Sequence, residues 1–452
     1  METKTNGEPQ LTIVEMGDPN HRTNTNQSTS VENKKSGYLV TLMHLIKGNI
    51  GCGMLAMGEA FKFGGLYLTL FILLYVWLVT VYNMHVLISL SKKVQSRLQS
   101  KRAPTFGETV ENSFKMSDKR IFRVISPIIS KIVLYNIFIT QLGLCSAYII
   151  FIGKSLKELL CYRYGANIEF QYVLLITMPL IIVCASLRKL RFIAPLSTFA
   201  NFALISGVIT ILYYSCSNLY IDDTIRYTYK KWSELPMMFG IIMFSFEGIG
   251  LVLPLFAEIK DDKKFTSCFG ALNLGMLAVM MLNVPLGMTG YIKWGEGVKS
   301  SLTLNLSYDQ TLTQFVILMM ILGIACSYAL QFYPAAVIVY SDLEQYFGPF
   351  NRPLVWDYTI RICICLFTYV AACIVPHLDL FMSLVGSVTC VALTMLFPAL
   401  SNLATRKKNK SSNLSTFLDM VTIITAIIGS VTGVYANSVA IYNAFSKTQS
   451  ND

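Results

Sequence analysis

Apolar residues run almost unbroken through eleven stretches of this chain, separated by short polar segments. The stretches cover approximately 38–64, 66–90, 126–156, 170–187, 192–215, 235–258, 267–291, 312–340, 358–375, 378–400 and 417–444. Each is close to the roughly 20 residues that carry a helix across ~30 Å of hydrocarbon. Stretches such as 192–215 and 312–340 contain no Asp, Glu, Lys or Arg. Continuous apolarity without period-two alternation predicts α-helices rather than barrel strands. The expected architecture is therefore an all-α polytopic membrane protein of eleven transmembrane helices spanning residues 37–444. Residues 1–36, rich in Asn, Thr, Glu and Gly, are expected to be a disordered tail, and 445–452 a short tail at the other end. The polar start predicts no signal peptide.

Composition agrees and narrows the choice. Charged residues are 14% and AVILMFWYC 54% of the 452 residues, which leaves too little polar surface for soluble domains of this total size. A net charge of +11 would elsewhere suggest nucleic acid; here it is topological, because Lys and Arg cluster at 92–124, 188–191, 260–264 and 406–410. With these segments and the tail on one side, the N-terminus is expected to be cytoplasmic and the C-terminus extracellular or lumenal. The partners expected are membrane lipid and a small solute, not nucleic acid. The 11 Cys lie mostly within apolar runs. Only Cys161 and Cys216 lie near the outer face, where they could form a disulfide or remain buried free thiols.

Two stretches do not read as plain helices. The first carries Gly48-Asn-Ile-Gly51-Cys-Gly53, and the sixth carries Ser245-Phe-Glu-Gly248-Ile-Gly250. Each Gly costs about 1 kcal/mol of helix stability relative to Ala, so each cluster predicts an unwound segment. Taken singly, either could be small-residue helix packing. Taken together they fall five stretches apart, at matching places in two five-helix halves, which points to an inverted-repeat transporter with repeats at 37–216 and 235–400 and an extra helix at 417–444.

Chemistry follows from the breaks. An unwound segment leaves N–H groups at one half-helix start and C=O groups at the other half-helix end. The first attracts a carboxylate and the second an ammonium, so two facing breaks suit a zwitterionic α-amino acid. Gly48, Asn49, Gly51, Cys52 and Gly53 are the candidates for the carboxylate. Phe244, Ser245, Phe246 and Gly248 are the candidates for the amine and for closing the site. Ionisable groups near the breaks need a partner or a role, since a central charge costs about 2.5–3.5 kcal/mol on insertion scales. His44, one turn before the first break, has an unperturbed pKa near 6.5 and could load a proton from a mildly acidic side, or be a neutral hydrogen-bonded side chain. Glu247 could complete a proton relay or hold the unwound backbone.

His44-Leu-Ile-Lys-Gly-Asn-Ile-Gly-Cys-Gly53 resembles the first-helix signature of the proton-coupled amino-acid transporter family, in the amino acid/auxin permease superfamily. Thr140-Gln-Leu-Gly-Leu-Cys-Ser-Ala-Tyr148, Phe244-Ser-Phe-Glu-Gly-Ile-Gly250, Ser301-Leu-Thr-Leu-Asn-Leu306 and Leu378-Asp-Leu-Phe-Met-Ser-Leu-Val-Gly-Ser387 resemble further segments of it, in the right order. The resemblance implies a leucine-transporter-type fold of 5+5 inverted repeats plus one helix. It also implies symport of small neutral amino acids with protons, His44 being the matched proton-coupling residue. Cys52 stands where the family's signature carries Thr, and Ser307-Tyr-Asp-Gln310, just after Leu306, offers no cysteine, so the family's usual outer disulfide is not expected.

Other classes fit less well. An amino-acid sensor or a proton-independent facilitator or exchanger would carry the same site. No His-Glu-x-x-His, Gly-x-Ser-x-Gly or Cys-x-x-Cys is present, and Gly153-Lys154-Ser155 lacks the first glycine of a phosphate loop, because Tyr148 holds that place. An enzyme is not expected, and neither is any cofactor beyond a proton as coupling ion. The plasma membrane is expected ahead of the endolysosomal membrane, although no sorting motif in the tail decides it.

Overall fold

The computed structural model describes residues 37–99, 102–165, 168–188, 190–217, 224–229, 231–259, 261–348, 350–375, 377–406 and 413–449. The 1–36 tail and the basic run 407–410 lie outside the described residues. The first stretch is three short helices, α1 (Tyr38–Asn49), α2 (Cys52–Leu55) and α3 (Met57–Gly64). It is followed by α4 (Leu66–Leu98), α5 (Phe106–Lys115), α6 (Arg120–Tyr164), α7 (Phe170–Ala185) and α8 (Leu190–Cys216). The second half opens with α9 (Leu235–Ser245) and α10 (Ile249–Glu258), then α11 (Asp262–Thr266), α12 (Ala271–Trp294), α13 (Thr311–Phe347) and α14 (Pro353–Ile374). It closes with α15 (Leu378–Val385), α16 (Phe397–Ala404) and α17 (Asn413–Gln449).

Helix is present at each of the eleven predicted stretches, and no strand occurs among the described residues. Nine helical segments among the described residues are long and apolar enough to cross a membrane. The other two predicted stretches are the interrupted 38–64 segment and α7, whose 16 residues fall short of that length. Large apolar side chains also face outward on the long helices: Phe417, Ile424, Ile428, Val431 and Tyr435 of α17 are exposed. In water such a surface would drive association; on a polytopic chain it is the lipid-facing surface.

Two packed groups frame the centre. α12 lies along α1 and α3, while α13 lies along α6 and α8. α9 stands between, against α3 on one side and α15 on the other. Local chemistry explains the joints. α5 starts on a reciprocal cap in which Thr105 accepts from the Glu108 N–H and Glu108 accepts from the Thr105 N–H. Gly65 turns the chain between α3 and α4 at φ +72, against the Thr228 backbone, where a Cβ would lie 2.5 Å away. The first N–H groups of α4 then donate to the Arg226 and Tyr227 carbonyls.

The tenth stretch is not a plain α-helix. Between α15 and α16 it widens into two π-helical segments, Gly386–Cys390 and Ala392–Leu396. This allows α9 to approach closely: a Cβ on Gly386 would stand 1.9 Å from the Gly240 carbonyl oxygen.

All the cysteines are free thiols, including Cys161 and the exposed Cys216. The disulfide considered for that pair is therefore absent. Cys161 belongs to the last turn of α6 and Cys216 to the end of α8, two helices that both pack on α13.

Candidate functional site

The first predicted break is real and narrow. α1 stops at Asn49 because Ile50 turns extended, at φ -86 and ψ 111, and Gly51 follows fully extended before Cys52 starts α2. The second break spans 246–248: α9 ends at Ser245, and Gly248, at φ -158 and ψ 1, precedes α10. The carbonyls that close α1 and α9 and the N–H groups that open α2 and α10 are thereby left at the centre of the molecule.

Glycine is what lets the two breaks touch. A Cβ on Gly53 would meet Phe244 Cδ1 and the Ser245 Cα, each at 2.9 Å. On Gly248 it would collide with the Asn49 side-chain amide at 2.3–2.6 Å, and on Gly48 with Leu251 at 2.2 Å. On Gly51 it would stand 3.2 Å from the Tyr148 hydroxyl. Each contact joins the first half of the chain to the second, or a broken helix to α6.

Between the breaks lies a small cavity. Gly48, Asn49, Gly51, Cys52 and Gly53 line one side, and Phe244, Ser245 and Glu247 the other. Leu144 and Tyr148 of α6 and Gln331 of α13 complete it. About 20 Å³ is open to water centres, room for a water or two at roughly 10–15 Å³ each. The walls are thus drawn close together, and a ligand of several heavy atoms requires them to part.

Hydrogen bonds fix some of these walls and leave others open. Ser245 donates to Asn283 Oδ1 at 2.7 Å, and Asn283 donates onward to the Val279 carbonyl, so α12 holds the end of α9. Asn49 Nδ2 donates to the Leu45 carbonyl at 2.9 Å, while its Oδ1 is buried with no protein partner. Glu247 Oε2 is likewise buried and unpartnered, beside the Cys390 thiol of the widened tenth stretch. Buried acceptors left open in this way are where a ligand's donors can bind. The Cys52 thiol points away from such chemistry, donating to Met382 Sδ at 3.9 Å.

Three predicted residues sit elsewhere. Phe246 is fully buried among apolar side chains and packs the break from behind. Gly248 backs onto Asn49 without lining the cavity. His44 is half-buried on α1, one turn before Gly48, with Lys47 as its charged neighbour. Sequence reasoning did not assign Leu144, Gln331, Asn283 or Met382 to the site. Leu144 and Tyr148 fall within the quoted third-helix segment, a usable signal; Gln331 lies in a long, mostly apolar run with nothing to set it apart from Gln314 or Ser327.

A family described as "Transmembrane amino acid transporter protein" matches residues 34–441. The chain is 28% identical over 363 residues to the "Proton-coupled amino acid transporter-like protein pathetic" of Drosophila melanogaster, covering 80% of this chain and 76% of that protein. It is 23% identical over 448 residues to the "Probable amino acid transporter skat-1" of Caenorhabditis elegans, covering 91% and 93%. Among solved structures it resembles MhsT in complex with L-phenylalanine, at TM-score 0.53 and 13% identity, over 89% of this chain and 99% of that one. It also resembles the Eremococcus coleocola manganese transporter in complex with an aromatic bis-isothiourea compound, at TM-score 0.53 and 12% identity, over 93% and 91%. The fold is that of the leucine-transporter type, and transport rather than enzyme catalysis is the work of this family. The chain belongs to the transmembrane amino acid transporter protein family.

Proposed function

We propose that this amino-acid transporter carries small neutral zwitterionic amino acids by alternating access, with protons as the coupling ion. The observation that carries this reading is the small cavity walled by both helix breaks. N–H groups at the start of α2 suit the substrate carboxylate, and the carbonyls ending α9, with Asn49 Oδ1, suit the amine. Its small size favours small side chains. His44 and Glu247, on the two broken helices, are the proton carriers in this scheme. The name of the Drosophila relative, proton-coupled, supports the same choice of ion. The N-terminus is placed in the cytoplasm, and the plasma membrane ahead of the endolysosome.

Uptake of labelled glycine, alanine and proline, at about pH 5.5 and 7.5 to bracket an ordinary histidine, tests this. Greater uptake at the acidic pH, independent of sodium and lost in His44→Ala, is the expected result. Saturable uptake indifferent to both ions would make the protein a facilitator or exchanger, and binding without flux would make it a sensor. Leu144→Trp fills the cavity from α6, so uptake of a larger neutral amino acid should fall by roughly tenfold more than glycine uptake. Equal losses for both would remove Leu144 from the selection of size.

A further inference from the structure

A second cluster of ionisable groups lies beyond the cavity, on the side away from the N-terminus. Glu59 of α3 is 6% exposed. Its Oε1 pairs with Lys62 Nζ at 3.3 Å, and its Oε2 is buried with no hydrogen-bond partner. Lys62 also donates to the Val298 carbonyl at 2.9 Å. The charged groups acting on Glu59 are Asp379 in the first turn of α15, its own Lys62, and Lys154 of α6. Lys154 in turn donates to Ser300 Oγ at 3.2 Å and feels Glu158, which pairs with Lys299 at 3.6 Å. Among the described residues, α4, α9 and α12, which also pack on α3, bring no further charge against Glu59.

The position matters. Glu59 is six residues beyond Gly53, and Lys154 six residues beyond Tyr148, so both stand roughly 9 Å above the cavity wall at 1.5 Å per residue. The cluster joins α3, which packs with α12, to α6, which packs with α13. The cluster therefore lies between the cavity and that side of the helix bundle. With every group charged, Glu59 and Asp379 balance Lys62 and Lys154. A proton on Glu59 leaves an excess positive charge and gives the orphan Oε2 something to donate.

We infer that Glu59 is a second proton-binding site of transport, at the entrance, and that its proton turns the cluster into a cationic collar attracting the carboxylate of the incoming amino acid. The inference rests on the proton-coupled reading above. The proton and substrate then bind in positive linkage: each raises the affinity for the other by the same factor.

The test is the KM for labelled alanine in wild type, Glu59→Gln and Glu59→Asp at about pH 5.5 and 7.5 outside, with surface labelling to count transporters. Wild type should lose affinity at the higher pH by about fivefold or more, the lower end of such couplings, and Glu59→Asp should follow it. Glu59→Gln, permanently neutral, should hold its low-pH KM with less than about twofold change. If Glu59→Gln fails to reach the surface, Asp379→Asn serves instead. With one negative neighbour fewer, a proton on Glu59 is less favoured, and the half-effect moves to lower pH. A Glu59→Gln profile that tracks wild type, or an unmoved Asp379→Asn midpoint, overturns the inference. So does a wild-type KM indifferent to pH. Amino-acid-evoked acidification of the cell, measured alongside, reports separately whether proton symport itself stands.

Discussion

Gly53→Val is expected to reduce amino-acid uptake by roughly 100-fold or more, the loss that a displacement of about 1 Å in a positioned site brings. The Cβ alone would sit 2.9 Å from both Phe244 Cδ1 and the Ser245 Cα. The latter is backbone and cannot swing aside, so α2 and the end of α9 must separate. This shifts the N–H groups of one break relative to the carbonyls of the other, and a zwitterion needs both at fixed spacing. Insertion should survive, because the change adds apolar volume and removes no hydrogen bond. Gly250 is the control, since nothing lies within 4 Å of a Cβ added there; Gly250→Ala should transport near the wild-type rate. The measurement is uptake normalised to surface transporter. Uptake by Gly53→Val equal to that of Gly250→Ala would remove the two breaks from the substrate path.

The second large effect concerns stability. Asp419 of α17 is fully buried and accepts from Arg406 Nη2 at 2.7 Å, from Asn402 Nδ2 at 2.9 Å and from the Tyr82 hydroxyl at 2.9 Å. Arg406 also donates to Ser415 and Thr416. This knot ties α17 to the end of the tenth stretch and to α4. Removing one partner of a buried pair typically costs about 3–5 kcal/mol, because the remaining charge is left without its counterion. Asp419→Ala should therefore lower the melting temperature of the detergent-purified protein and its surface yield. Asp419→Asn, which keeps an acceptor for Tyr82, should lose less. Equal melting of wild type and Asp419→Ala would show that the knot is solvated and contributes little.

Legibility in the sequence varied with the range of the interaction. The glycine clusters at 48–53 and 248–250 were readable because unwinding is a local cost, borne by the residues themselves. The cavity's lining by Gly48, Asn49, Gly51, Cys52 and Gly53 and by Phe244, Ser245 and Glu247 followed from that. Phe246 and Gly248 were placed on the same local argument, yet they pack behind the break, because which way a side chain points at an irregular turn depends on its neighbours. Gln331 could not be found, since one polar residue in a long apolar run has many possible partners. Asn283 was hidden in the same way, although it holds Ser245 in place.

By itself, the sequence determined that this chain lives in a membrane, where its helices run, and which two of them break. Those properties depend on transfer free energy and backbone propensity, which act residue by residue and accumulate along a segment. Only the tertiary structure decided that the breaks face one another across Gly53 and Phe244, that Leu144, Tyr148 and Gln331 close the cavity, and that Lys62, Lys154 and Asp379 come within electrostatic reach of Glu59 beyond it. These are juxtapositions of groups far apart in the chain, brought together by close packing, and packing is a property of whole surfaces that no single segment encodes.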